Sequence, residues 1–396
     1  MGCAQSSPKP LKEAAAAPQQ HASPSIKQQK LAQEKAAAEF KAVSEAVGAI
    51  SEEERRKLDE WWPFYITRSE LMDMLTNTDL VDAQYLISLA KAGGIVPRWQ
   101  DVPPGAQIST STAWRLRWNE LVLPIIVLSY SWLSREHPDP IGEQMQRLLP
   151  ILEDTVELAL KHSKYATAGV LMDYMSFPQQ PRTDAEEARF KQALRKELNL
   201  WYTNPQITVL MLKCTPSQAP EHTNCRSYDA RGWCKVEERL SSIGKDRSSL
   251  WDFGKYTGSE RWPYREMTAK RPPPMSPPRV ATEIREGVAA GTISFTSPAD
   301  VEVVIGIYER GFKRVFETPS ECGFYNYTHL GWDDTALPAI ADALSWVGTN
   351  CDLSAHGDDH NPEFSICFAH NTFSEDAKRE LQALVVRLPC KAYIES

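Results

Sequence analysis

An alternation in the middle of the chain most constrains what it can fold into. Three short apolar runs, at 125–130, 169–174 and 207–212, are separated by two long stretches, about 142–162 and 185–202, that carry helical patterning. In the second stretch Phe190, Leu194, Leu198 and Trp201 recur at helical spacing. Runs this short and this rich in Ile, Val and Leu suit strands buried on both faces of a parallel sheet. Strand–helix–strand–helix–strand then implies right-handed crossovers, and so an α/β fold with a doubly wound parallel sheet. A helix from 232 to about 242, a last strand at 292–295 and a helix at 298–316 complete a domain expected over 119–316. The Pro-rich joint at 271–278 interrupts it, and a linker is the preferred reading over a ligand for an SH3-like partner.

In open α/β sheets, ligands bind outside the carboxyl ends of the strands. The segments to weigh are therefore 129–140, 173–182 and 213–233. The sequence has no Gly-rich phosphate loop, no HExxH and no nucleophile elbow after a strand, which counts against the chemistries those motifs serve. Trp233 and Glu237 stand four residues apart on one expected helix, on the same face and one turn apart. An indole beside a carboxylate at the mouth of a sheet suits stacking a planar ring and contacting a sugar. The same pair also reads as a packed core Trp with Glu237 salt-bridged at a helix start, where the dipole favours an acid. In either case Glu238, about 100° further round the helix, is expected to be an inert neighbour.

The stretch 122–262 resembles the TIR domain and its fungal relative, the heterokaryon-incompatibility (HET) domain. Ile126-Val-Leu-Ser-Tyr130 resembles the first TIR strand and the loop opening the site. Gly169-Val-Leu-Met-Asp-Tyr174 resembles the second strand with its terminal acid, Asp173. The Ser176-Phe-Pro-Gln179 loop takes the place of the TIR gating loop. Tyr228, Trp233, Cys234 and Glu237 fall at the spacing of the TIR YxxxxWCxxE run. The resemblance implies a TIR/flavodoxin-like fold and an NAD nucleosidase that releases nicotinamide and ADP-ribose. It assigns Glu237 as the catalytic carboxylate and Trp233 as the aromatic beside nicotinamide, with Tyr130, Trp132, Ser129 and Asp173 lining the substrate site. NAD is then substrate, with no cofactor and no metal. Two departures stand out: the usual Gly after the second-strand loop is missing, Pro178 and Pro181 stiffening that loop, and 243–291 has no TIR counterpart. A non-enzymatic adaptor that uses the fold for protein–protein contacts, homo-oligomers included, is the alternative, since fold does not fix function.

Around this core the chain reads as a tail, 1–28, a helical neck, 29–118, and a C-terminal region, 317–396. Gly2, Cys3 and Ser6 fit a myristoylation pattern with an adjacent palmitoylation site. Two acyl chains would anchor the protein stably at the cytoplasmic face of a membrane. The Ala-, Pro-, Gln- and Ser-rich tail reads as a disordered tether. In the neck, Ser51 followed by three glutamates reads as a helix start. The longest apolar run, 121–128, is too short to span a bilayer. With 44 Lys+Arg against 52 Asp+Glu, the net charge of −8 argues against a nucleic-acid partner. Eight cysteines without a CxxC pair suggest reduced thiols. The Cys214, His222 and Cys225 group lacks zinc spacing, and 356–360, which holds His356 and His360, reads as a solvated turn. The C-terminal region, with a helix at about 335–347 and apolar runs at 364–368 and 384–388, faintly resembles degenerate leucine-rich repeats.

Overall fold

A computed structural model describes residues 24–48, 51–59, 68–116, 123–214, 216–245, 247–258, 263–318, 324–354, 365–388 and 391–394. The three apolar runs become β3 (Leu123–Ser129), β4 (Gly169–Leu171) and β5 (Ile207–Met211), all parallel, with β3 in the middle. They belong to a six-stranded sheet with β1 (Leu80–Asp82), β2 (Gln107–Ile108) and β6 (Leu250–Asp252), in the order β2-β1-β4-β3-β5-β6. β6 extends the parallel set beside β5, whereas β1 and β2 form an antiparallel edge beside β4. The protein is thus α/β, with a mixed but mainly parallel sheet.

Side chains that alternate along β3 enter two different cores, as the period of two in a strand requires. Ile125 and Val127 pack with Val209 and Met211 under the helices Leu198–Thr203, Gly232–Gly244, Pro277–Ala289 and Asp300–Glu317. Ile126 and Leu128 pack with Val170 and Leu210 under Ile26–Gly48, Ala83–Lys91 and Glu143–His162. Both faces are covered, which is why these strands read as continuous apolar runs. From β3 the chain crosses to β4 on one side, then returns past β3 to β5 on the other. The loops leaving β3 and β5 therefore diverge, and in open α/β sheets such a reversal of strand order is where a ligand crevice lies between the carboxyl ends.

Several expectations need correction. The strand expected at 292–295 is a single bridge, Ser294 to Arg231, away from the sheet. Gly232 starts its helix there because a Cβ would lie 2.0 Å from the Phe295 ring. The fourth parallel strand is β6, from the segment that had no TIR counterpart; its Leu-Trp-Asp core is too short to show periodicity. The stretch expected as a helical neck also donates β1 and β2. The run 169–174 ends as a strand at Leu171, and Asp173 opens the short helix Asp173–Ser176. The helix expected at 185–202 is interrupted by a π-helical turn, Ala193–Glu197. There the buried Glu197 accepts from Asn77 N at 3.0 Å and Thr78 Oγ1 at 2.6 Å, pinning the segment before β1. The Pro-rich joint ends in Pro277 and Pro278, which occupy the first turn of the helix Pro277–Ala289, where a missing N–H costs nothing. Ser51 does cap Glu52–Asp59, its hydroxyl accepting from Glu54 N at 3.1 Å.

The C-terminal region forms a second parallel sheet, β7 (Phe324–Asn326), β8 (Ser365–Cys367) and β9 (Lys391–Tyr393), with the helices Leu337–Asn350 and Glu375–Val385. Equivalent positions repeat: Tyr327 and Phe368 stack, and His329 and His370 stack at 4.2 Å, each at positive φ. Asn371 ties the two turns together, accepting from Leu330 N and Trp332 N and donating to Tyr327 O and Phe368 O. The sheet shares one core with the main domain, and the Tyr327 hydroxyl donates to Ile243 O at 2.5 Å. Among the described residues, no helix is long and apolar enough to cross a membrane. The acylation motif at Gly2 and Cys3 lies outside the described residues.

Candidate active site

The carboxyl end of β3 is Ser129, fully buried, followed by Tyr130 and Trp132. The Ser129 hydroxyl lies 2.5 Å from Glu237 Oε2 and 2.6 Å from the Tyr228 hydroxyl. Glu237 comes from the helix after β5, and Tyr228 from the turn before that helix. The Tyr202 hydroxyl faces the same carboxylate and stabilises its charged form. One residue beyond Ser129, the Tyr130 hydroxyl donates to Asp173 Oδ1, and the Trp132 indole N–H donates to Asp173 Oδ2 at 3.0 Å. Trp132 also meets Tyr174 edge-on at 5.3 Å. Five of the residues singled out from sequence, Ser129, Tyr130, Trp132, Asp173 and Glu237, thus meet in one cluster at the crevice.

The electrostatics follow from enclosure without a counter-charge. Glu237 is half-buried as a residue, but its carboxylate is the enclosed end. Burial pushes its pKa up to about 8, with the Asp173 charge adding to the rise while Ser129 and Tyr202 oppose it. Burial also raises Asp173, against the pull of Tyr130 and Trp132. Among the described residues, neither carboxylate forms an ion pair; their partners are hydroxyls, an indole N–H and, for Asp173, the backbone N–H of Tyr174. Desolvation without a cation penalises the charged form most, the first of the standard causes of a shifted pKa.

The Trp233 side chain has its hydrogen bond outside this cluster. It is half-buried, and its indole N–H is spent on Asp300 Oδ2 at 3.0 Å. Helical spacing set it one turn from Glu237, but spacing does not reveal a partner on another helix. Among the described residues, Glu237 is not the salt-bridged helix-start acid of the simpler reading. Glu238 is not inert either: it is buried and accepts from Lys213 Nζ at 2.6 Å. Ser129 has no exposed surface, and its hydroxyl is engaged twice, with Glu237 and with Tyr228.

Sequence reasoning missed Tyr202 altogether. It sits between Trp201 and Thr203 in a fully buried helix, where an aromatic reads as core. Tyr228 was visible only as part of the spacing motif. The Cys214, His222 and Cys225 group does not converge: His222 Nδ1 donates to Ser217 O at 2.9 Å, and the Cys225 thiol donates to His222 O. No group of three His, Cys, Asp or Glu among the described residues is arranged to hold a metal ion. The motif at 356–360 lies outside the described residues. Comparison with family models, curated proteins and solved structures returned no match.

Proposed function

We propose that this chain is a TIR-like NAD nucleosidase tethered by acyl groups on Gly2 and Cys3 to the cytoplasmic face of a membrane. The observation that carries the reading is the pair of enclosed carboxylates, Glu237 and Asp173, left without a cation at the crevice between β3 and β5. Two such groups favour a cationic guest, and the quaternary nicotinamide ring of NAD is one. Cleavage of its N-glycosidic bond passes through an oxocarbenium-like ribose. A fixed carboxylate beside that centre stabilises the charge as it develops. Glu237 takes that role and Trp132 borders the ring, while Tyr130 holds Asp173. The C–N bond pair leaves with neutral nicotinamide without a strong general acid, and water adds to the sugar and gives up a proton to solvent, yielding ADP-ribose.

The strand order supports a TIR/flavodoxin-like reading of the fold. The four parallel strands lie in the order second, first, third, fourth, as in flavodoxin-like sheets, whose ligand sits at the same switch point. A second reading, a membrane-tethered adaptor that self-associates through this domain, is favoured by one observation. The Trp233 indole N–H is committed to Asp300, away from the carboxylates. Purified full-length protein incubated with NAD, with and without lipid vesicles, decides between them. Nicotinamide release that fails in Glu237→Gln supports the enzyme, and no release under either condition favours the adaptor.

A further inference from the structure

The hydroxyls around Glu237 have a direction that proton counting fixes. An ionised carboxylate only accepts, so at 2.5 Å the single Ser129 proton goes to Glu237 Oε2. The Ser129 oxygen is then the acceptor for the Tyr228 hydroxyl at 2.6 Å. The chain runs Tyr228 O–H to Ser129 O–H to carboxylate. When Glu237 takes up a proton the chain can run backwards, Glu237 donating to Ser129 and Ser129 to Tyr228. No atom moves far in either state. Ser129 and Tyr228 are both buried, so water does not replace either partner.

We propose that Tyr228 and Ser129 form a hydroxyl relay that orients Glu237 and stabilises its charged form, making both positioning residues. The relay's effect on catalysis rests on Glu237 being the working carboxylate, but its effect on the charge of Glu237 does not. The other groups facing Glu237 are Asp173 beyond β4, Tyr130 after β3, Tyr202 on the helix before β5 and Cys234 on its own helix. Lys213 lies over the Tyr228 ring at 5.2 Å but is paired with Glu238 and Asp229. All of these stay in place when the terminal hydroxyl alone is removed.

The test is a pH titration of the full chain by infrared difference spectroscopy. The Glu237 carboxyl band is the one missing from Glu237→Gln. Tyr228→Phe deletes one hydroxyl and keeps the ring, and Ser129→Ala cuts the chain next to the carboxylate. The Glu237 midpoint should move to higher pH by on the order of one unit in Tyr228→Phe and further in Ser129→Ala, in line with charge-assisted hydrogen bonds being the stronger kind. Ser129→Thr, which keeps the hydroxyl, should restore it. If wild type cleaves NAD, the acid limb of kcat/KM should shift by the same amount in Tyr228→Phe, with KM nearly unchanged. A wild-type midpoint in folded Tyr228→Phe, or in Ser129→Ala where Tyr228→Phe does not fold, overturns the relay. A wild type that cleaves no NAD overturns the proposed function and leaves the infrared result standing as the test of the relay.

Discussion

Glu237 makes a prediction about stability as well as catalysis. An acid whose pKa rises from 4.5 to about 8 on folding holds its proton more tightly in the folded state. Between those two values the folded chain carries a proton that the unfolded chain has lost. Stability therefore falls as pH rises through the window and levels off above about 8. Asp173, raised for the same reason, pushes in the same direction. Glu237→Gln has no charge to desolvate, so it should be less sensitive to pH. Denaturant midpoints should put it above wild type by about 1–4 kcal/mol at pH 8.5, with the advantage shrinking toward pH 5. An equal loss of stability at both pH values would mean that Glu237 is an ordinary structural acid. The residues that meet here were partly legible in the sequence. Ser129, Tyr130, Trp132 and Asp173 were marked because they lie where strands end. Glu237 was marked by spacing and resemblance. Its charge state was not legible, because it depends on which cations are absent, and only the packed chain fixes that.

At the scale of elements, segments that lie inside a longer apolar or periodic run were legible and isolated short ones were not. The helices near 142–162, 232–242 and 298–316 and the strands β3, β4 and β5 stand within a few residues of where their patterns placed them. β1, β2 and β6 span three residues or fewer, less than a period-two pattern needs to declare itself. They are strands because a neighbour offers an edge. The C-terminal turns depend on a single side chain in the same way. Asn371 makes four hydrogen bonds to backbone groups of both turns. Asn371→Ala removes them together and should cost about 2–4 kcal/mol, since each unmet backbone group carries a penalty of its own. The loss should appear as a lower melting temperature, with hydrogen-exchange protection lost first at the Leu330 and Trp332 amides that donate to Asn371. Protection lost uniformly over the chain would show that Asn371 has no local role.

At the scale of the whole molecule, the two sheets and the helices between them share buried side chains. One core extends from β3 through the helices Gly232–Gly244 and Asp300–Glu317 to Ile366 and Phe368. A site at the carboxyl ends of the main sheet is therefore braced from the far end of the chain. At the other end, the proposed anchor makes its own prediction. Gly2→Ala removes the glycine that N-myristoylation requires and should move the protein from the membrane to the soluble fraction, because one remaining weak signal does not hold a protein stably. Cys3→Ser should leave reversible binding. Unchanged fractionation of Gly2→Ala would remove the anchor from the account.

The most direct test of the central claim is the pH dependence of NAD cleavage by the full chain on vesicles, measured as nicotinamide release. If charged Glu237 stabilises the ribosyl cation, kcat/KM should rise with pH and level off above about 8, where burial places its ionisation. Glu237→Gln should lose on the order of 10²-fold or more above about pH 8, as the loss of one electrostatic stabiliser typically does, with the gap narrowing at lower pH where Glu237 is protonated. Equal turnover by wild type and Glu237→Gln, or a rate that is flat in pH, would contradict the account.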